Sequence, residues 1–494
     1  MSPEQPQIIS ERLSDNLTRI EEVFSNCSDL TVFSWQYGPD LTYNAFSVFF
    51  TTLTQGKKVN FMKESMQDLV PHEVGPSTNI TPKDVIEFFD QHGISKRSAV
   101  TVDRFDLAVA NILHGHIVIF FDGWDKVLSY DAFQVESRQV TEPASESVVK
   151  GPREGTVEQL QKNLGMLRSR LPNPHFKIES FKAGGASQTE VAYGYIEGVV
   201  DDETLKEFKK RIEVAKEGDV LETAYIEELI EDSTYSPFPQ HRTTERTDVA
   251  VASLLEGKII VLVQGTGSVL ICPGLLTELF QTSEDYYHRV VFSTLIRLLR
   301  IVAFFISLSL PSIFIALTTF HPELIPTNLL MTILDTREGL PFPAFVEVLI
   351  MIFFFELLRE AGIRLPKPVG SAVSIVGALI IGEAAINANI ASPAIVILVA
   401  LTGIASFSMP QYSVSISIRL LQFPLMVLAA ILGGFGIMIG YLLIMLHITN
   451  LRSLGQPYFS PLTPFRPKQL LDVIIRSPLK TIWKSQRKRN IQRF

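Results

Sequence analysis

Residues 301–320, IVAFFISLSLPSIFIALTTF, carry no charged side chain. A run of about 20 mainly apolar residues is what a helix needs to cross a hydrocarbon core of ~30 Å. Four more apolar segments follow at 344–358, 372–390, 393–409 and 420–447, so five lie in the C-terminal half. Composition agrees once it is divided along the chain. Charged residues make up 19% of the 494 residues, against about 25% in an ordinary soluble domain. Most of the charge lies before residue 297. The net charge of −8 therefore describes mainly the first half and argues against a general nucleic-acid binder.

The N-terminus, MSPEQPQIISERLSDN, has neither a basic leader nor an apolar core of the signal-peptide kind. The large first half is therefore expected to remain cytoplasmic. The two cysteines, Cys27 and Cys272, need not pair, and no Cys/His spacing points to zinc. Such sparse cysteine use fits a reducing compartment.

The expected fold class is an α/β soluble N-terminal region of two subdomains, then an α-helical polytopic membrane domain with about four to five apolar segments. Residues 1–29 read as a polar leader with one short helix, ERLSDNLTRIEEVF. Residues 30–140 form the first subdomain, with a strand at LTVFSWQY, a helix at TPKDVIEFFDQHGIS behind its Thr cap, and a buried strand in HGHIVIFFDG. A Pro-, Gly- and Ser-rich linker opens the second subdomain, 141–290. There, GTVEQLQKNLGMLRSRL and DETLKEFKKRIEVA read as helices. HFKIESFKAG and QTEVAYGYIEGVV read as paired strands, and GKIIVLVQGTGSVLICP as a hairpin turning at Gly265-Thr266-Gly267. Residues 291–450 are the membrane domain and 451–494 a basic tail.

That tail holds ten Lys and Arg against one acid, Asp472. The positive-inside rule puts it in the cytoplasm. With both ends inside, the crossings must be even in number. Five segments conflict with that, so the expectation is four crossings, one segment failing to span.

The residues that stand out are carboxylates at membrane depth: Glu347, Glu356 and Glu383. Unless it faces water or protein, such a group costs roughly 2.5–3.5 kcal/mol on insertion scales. It marks an ion path or proton site, or else a helix-end charge or a buried pair with Arg359 or Arg364, the structural reading being favoured for Glu356 at its segment's end. In 371–390 the small residues Ser371, Ser374, Ala378, Gly382 and Ala385 share one helix face. They either pack helices closely or line a narrow pore. Other signals are weaker. Gly265-Thr266-Gly267 reads as a turn rather than a phosphate loop. His114 and His116, expected on one strand face, lack a third metal ligand. Asp122 and Asp125 read as turn residues. No nucleophile–base set is present, so no catalytic residue, cofactor or metal is assigned and an enzyme is not expected.

Several long stretches resemble the A-subunit of bacterial spore germinant receptors, the GerA family. They are TEPASESVVKGPREGTVEQLQKNL (141–164), YIEELIEDSTYSPFPQHRTTERTDVA (225–250), EGKIIVLVQGTGSVL (256–270) and SEDYYHR (283–289). In the membrane half they are PFPAFVEVLIMIFFFELLREAGIRLPKPVG (341–370), GEAAINANIASP (382–393), FSMPQYS (407–413) and QPYFSPL (456–462). The likeness covers nearly all of 100–465 and is looser before that. It implies residence in the inner spore membrane. It also implies assembly with a transporter-like B-subunit and a lipoprotein C-subunit, and self-assembly, as a pentamer, into a ligand-gated cation channel. The family's pore segment maps onto 371–390, making Ser371, Ser374, Ala378, Gly382, Glu383 and Ala385 the pore-lining candidates. Glu383 replaces the family's usual Gln, which would favour cations. Thr247 replaces a usual Pro. The basic tail is expected to lie against anionic lipid.

A nutrient receptor A-subunit and its paralogue in the dipicolinate-channel operon fit the resemblance equally. A non-conducting scaffold of the germination complex and a secondary transporter are the alternatives. The transporter reading lacks an internal repeat.

Overall fold

The apolar alternation of LTVFSWQY builds β1 (Leu30–Tyr37), which pairs antiparallel with β2 (Tyr43–Phe50), Leu30 opposite Phe50 and Tyr37 opposite Tyr43. The computed structural model describes residues 8–37, 42–54, 99–133, 143, 146, 148–366, 377, 380–466 and 472–481. The helix expected in TPKDVIEFFDQHGIS lies outside them. With β3 (Ala99–Val102), β4 (His116–Phe121) and β5 (Val127–Asp131), the first sheet has the order β1-β2-β4-β5-β3. Its strands send alternate residues to two faces. Phe46, Val48, Phe50, Val118 and Phe120 meet Ile20 and Phe24 from the helix α1 (Leu13–Val23) and its cap, and Phe105 and Ile112 from α2 (Phe105–Leu113). Ala45, Phe49, Ile117, Ile119 and Phe121 form a second cluster beneath Trp35 and Trp124.

A second five-stranded sheet joins β6 (Phe176–Lys182), β7 (Glu190–Ile196), β8 (Arg242–Thr244), β9 (Ile259–Val263) and β10 (Val269–Cys272) in the order β6-β7-β9-β10-β8. The registers of β6–β7, β7–β9 and β9–β10 are antiparallel. The last pair closes through the expected turn, where Gly265 adopts φ +91. Leu160, Leu164 and Leu167 of α3 (Leu160–Arg170) pack with Ala250 and Leu254 of α6 (Thr247–Leu255) over Phe176, Ile178, Ile260 and Leu262. The helices α4 (Asp202–Ile212) and α5 (Thr223–Ile230) lie between them in sequence. Asp201 caps α4 by accepting from Thr204 N.

The chain divides into two compact units: Met1–Glu231 with Thr243–Pro273, and Asp232–Arg242 with Gly274–Phe494. The second unit is helical: α7 (Val290–Thr319), α8 (Thr327–Arg337), α9 (Ala344–Arg364), α10 (Pro393–Phe407) and α11 (Tyr412–Asn450). Among the described residues, two helices are long and apolar enough to cross a membrane, α7 and α11. This corrects the expected four to five spans. The 15 residues of α10 reach only about 22 Å at 1.5 Å per residue. Glu347, Glu356, Arg359, Glu360 and Arg364 interrupt the apolar run of α9, and most of 367–379 lies outside the described residues.

α11 is not a single rod. In a straight helix Ser417 and His447 would stand about 45 Å apart. Here they bond to neighbouring residues of one loop, Ser417 Oγ to the Pro237 carbonyl and His447 Nε2 to Ser236 Oγ. The reversal sits at Gly433, whose φ 60, ψ −137 is outside the helical region. The arms 412–432 and 434–450 therefore run back along each other. A Cβ at Gly436 would strike the Leu428 carbonyl, and one at Gly440 the Leu425 side chain. Small residues thus let the arms meet closely.

Candidate functional site

The three carboxylates of the helical unit have different surroundings. Glu347, in the first turn of α9, is fully buried. Its Oε1 accepts from Arg337 Nη2 at 2.9 Å and Nε at 3.2 Å. Its Oε2 accepts from Ser392 N at 3.2 Å. Ser392 is the cap residue of α10, so the carboxylate also faces the positive end of that helix. Glu347 is a neutralised structural charge that joins α8, α9 and α10.

Glu356 lies two residues before the end of the apolar part of α9. Its two oxygens contact Arg359 Nη1 at 3.2 Å and Arg419 Nη1 at 2.9 Å. The Arg359 guanidinium lies over the rings of Phe355 and Phe407 and donates to Ser406 Oγ at 3.1 Å. The sequence suggested Arg359 or Arg364 as the partner. Arg359 takes part, Arg364 pairs with Glu360, and Arg419 arrives from a helix more than sixty residues away in sequence.

Glu383 differs from both. Residues 380–387 are helical, and Ile380, Glu383, Ala384 and Asn387 form their exposed side. Among the described residues Glu383 has no ion-pair partner. Gly382 and Ala385 are on the buried side. Ala385 packs with Ile395, Leu398 and Val399, and a Cβ on Gly382 would touch Val396 at 3.4 Å. The described small residues thus seat this helix against α10, and the ionisable one faces outward. Ser371, Ser374 and Ala378 lie outside the described residues.

Charge also gathers at the foot of α7. Asp285 Oδ2 accepts from Arg297 Nε and Arg300 Nη1, each at 2.9 Å. Burial alone would raise the Asp285 carboxyl, but hydrogen bonds and charge from Arg300 and Arg297 hold it below its ordinary value. Arg297 also donates to the Asp472 carbonyl, and Tyr286 Oη donates to Asp472 Oδ2 at 2.7 Å. Asp472, the one acid of the tail, is thus its anchor to α7.

In the first unit, His114 and His116 do not share a strand. His114 caps α2 and contacts the Ala110 carbonyl through Nδ1, while His116 opens β4 and contacts Ser129 Oγ. The helix ends between them, which alternation alone did not reveal. Among the described residues no group of His, Cys, Asp and Glu could hold a metal ion. A cavity of about 750 Å³ is lined by Arg12, Ser14, Trp35, Gln36, Asn44 and Asp122, among others. Nothing in the sequence marked it, because its walls come from α1, the first hairpin and the β4 turn.

Comparison with known proteins places this arrangement in context. The profile of the Bacillus/Clostridium GerA spore germination protein family matches residues 18–489. The chain is 40% identical over 476 residues to spore germination protein KA of Bacillus subtilis, covering 96% of this chain and 86% of that protein. It is 37% identical to spore germination protein A1 of Bacillus subtilis, covering 95% of each. It is also 37% identical to spore germination protein GerLA of Bacillus cereus, covering 94% of this chain and 93% of that one. Among solved structures, the N-terminal domain of the A subunit of the Bacillus megaterium spore germinant receptor GerK3 aligns with a TM-score of 0.44 and 25% identity, over 55% of this chain and 99% of that one.

Proposed function

This chain belongs to the Bacillus/Clostridium GerA family of spore germination proteins, and on that premise we propose that it is the membrane subunit of a nutrient-responsive germination receptor whose copies assemble into a ligand-gated cation channel. Glu383 carries the channel reading. An isolated copy would expose this carboxylate and Asn387 beside Ile380 and Ala384. At membrane depth that would cost roughly 2.5–3.5 kcal/mol on insertion scales. Assembly, as a pentamer, turns the face toward a shared aqueous axis, where a ring of carboxylates favours cations. Ser371, Ser374 and Ala378 extend the pore-lining proposal. Gly382 and Ala385 hold the pore helix against α10.

The folded-back α11 supports a membrane bundle whose ends share one side. The last apolar run folds back on itself at Gly433, which brings its end to the side where it begins. Leu276 and Leu279, on the approach to α7, pack in one cluster with Ile448 and Leu451 at the end of the second arm. The soluble region and the basic tail then both face the cytoplasm, with the tail near anionic lipid. The membrane is the inner spore membrane, and the partners are a transporter-like B-subunit and a lipoprotein C-subunit.

A non-conducting scaffold is the second reading, favoured by the burial of Gly382 and Ala385, since small-residue faces commonly serve packing. Monovalent-cation leak separates the two in growing cells that express the chain with its partner subunits. A channel leaks, and Ala378→Leu plugs it. An assembled complex that never leaks supports the scaffold.

A further inference from the structure

We propose that the loop Asp232–Arg242 is the linkage through which the second α/β subdomain controls the α11 hairpin, an inference that rests on the channel reading. In sequence the loop lies between α5 and β8, both elements of the soluble subdomain. In packing it belongs to the helical unit. The chain leaves the subdomain after Glu231, builds this loop into the foot of the hairpin, and returns at Thr243.

The loop is closed on itself. Gln240, with no exposure, accepts through Oε1 from Asp232 N at 2.8 Å and Ser233 N at 3.2 Å, and donates through Nε2 to the Ser233 carbonyl at 2.7 Å. Pro237 and Pro239 fix two more φ angles. A loop so braced moves as a body and does not absorb a pull at its ends.

Its contacts reach both feet of the hairpin at once. The Pro237 carbonyl accepts from Ser417 Oγ on the first arm. Ser236 Oγ lies 2.8 Å from His447 Nε2 on the second. Phe238 is buried between them, in one cluster with Ile418 and Ile448, and His447 stacks on its ring. Behind the second arm, Tyr458 Oη donates to the Pro239 carbonyl at 2.7 Å and Ser453 Oγ to the Gln240 carbonyl at 2.5 Å. A displacement of the subdomain that shifts the loop must therefore move the hairpin feet or break these bonds. The two arms meet at the backbone break of Gly433.

The test uses the full complex in growing cells and reads nutrient-triggered release of monovalent cations. In Ser236→Cys with His447→Cys, a short membrane-permeant bis-thiosulfonate linker ties the loop to the second foot, and a reductant frees it. Linked complexes, in which the lost Ser236–His447 tether is replaced by a covalent one, should respond at least about fivefold more strongly than reduced ones, the low end of ordinary coupling energies, and lose that gain on reduction. Ser236→Ala with Ser417→Ala removes two tethers and should weaken nutrient dependence by a similar factor. Linked protein that responds like reduced protein, or the Ser236→Ala/Ser417→Ala variant with unchanged nutrient dependence, overturns the linkage alone. A wild-type complex that assembles and never responds overturns the channel reading, and the linkage with it.

Discussion

Arg168 grips Asp29 at two points, Nη2 to Oδ1 at 2.8 Å and Nε to Oδ2 at 2.9 Å, with both side chains shut away from water. Asp29 stands just before β1 of the first sheet, and Arg168 is on α3 over the second. The pair ties together the two halves of the soluble unit. The guanidinium also donates to the Phe176 carbonyl at 2.7 Å and lies 4.2 Å from the centre of the Phe50 ring. Thr52 Oγ1 donates to Asp29 Oδ2 at 3.1 Å. Removing one partner strands a buried charge, which costs about 3–5 kcal/mol. Arg168→Leu should lower the urea midpoint of the soluble unit accordingly, read from Trp35 and Trp124 emission. A loss below about 1 kcal/mol, the range of exposed pairs, would mean that Asp29 finds water instead.

Stability of the soluble unit should fall as pH rises toward neutrality. Burial, then the neighbouring Glu227 and Glu228, push the Glu231 carboxyl up to about 7; burial and Glu222 push Glu227 up to about 6. Both folded values exceed the ordinary 4.5 of an unfolded Glu. Between roughly pH 4.5 and 7 the folded state then holds more protons than the unfolded one, so raising pH disfavours folding. Thermal unfolding across that window should show the decline, and Glu231→Gln should flatten its upper part. An unchanged slope in the variant would assign the decline to other groups.

Gly433 should tolerate no side chain. Its backbone occupies a region nearly confined to glycine, and a Cβ there would lie within 3 Å of Phe320. Strain of this kind costs of order 1–3 kcal/mol. Gly433→Ala should lower the aggregation midpoint of the detergent-solubilised protein. A variant with wild-type stability would argue for a straight α11.

The Arg337–Glu347 pair should be asymmetric. Arg337 retains 21% exposure and Glu347 none, so an unpaired Arg337 can turn its head group to water while an unpaired Glu347 cannot. Arg337→Met should therefore reduce folded yield more than Glu347→Gln. The reverse order would place the arginine as the deeper charge.

Much of the soluble fold was legible locally. The strands at LTVFSWQY and HIVIFF, the β6–β7 pair and the Gly265 turn follow from alternation and turn chemistry within a few residues. The site was less legible because its geometry depends on distant partners. Arg419 meeting Glu356, and Ser392 capping onto Glu347, depend on helix packing that no spacing rule contains. Gly433-Gly434 reads as a break within an apolar run, but hydropathy alone does not show that the chain reverses there. The Asp232–Arg242 loop looks like an ordinary connection between α5 and β8, and only its bonds to Ser417, His447 and Tyr458 assign it to the helical unit.

Current through the purified complex in a planar bilayer tests the central claim most directly, comparing wild type with Glu383→Gln. The account predicts a nutrient-dependent, cation-selective current that loses selectivity or conductance in the variant, while the variant assembles normally. A fully assembled wild-type complex that passes no nutrient-dependent current would contradict it.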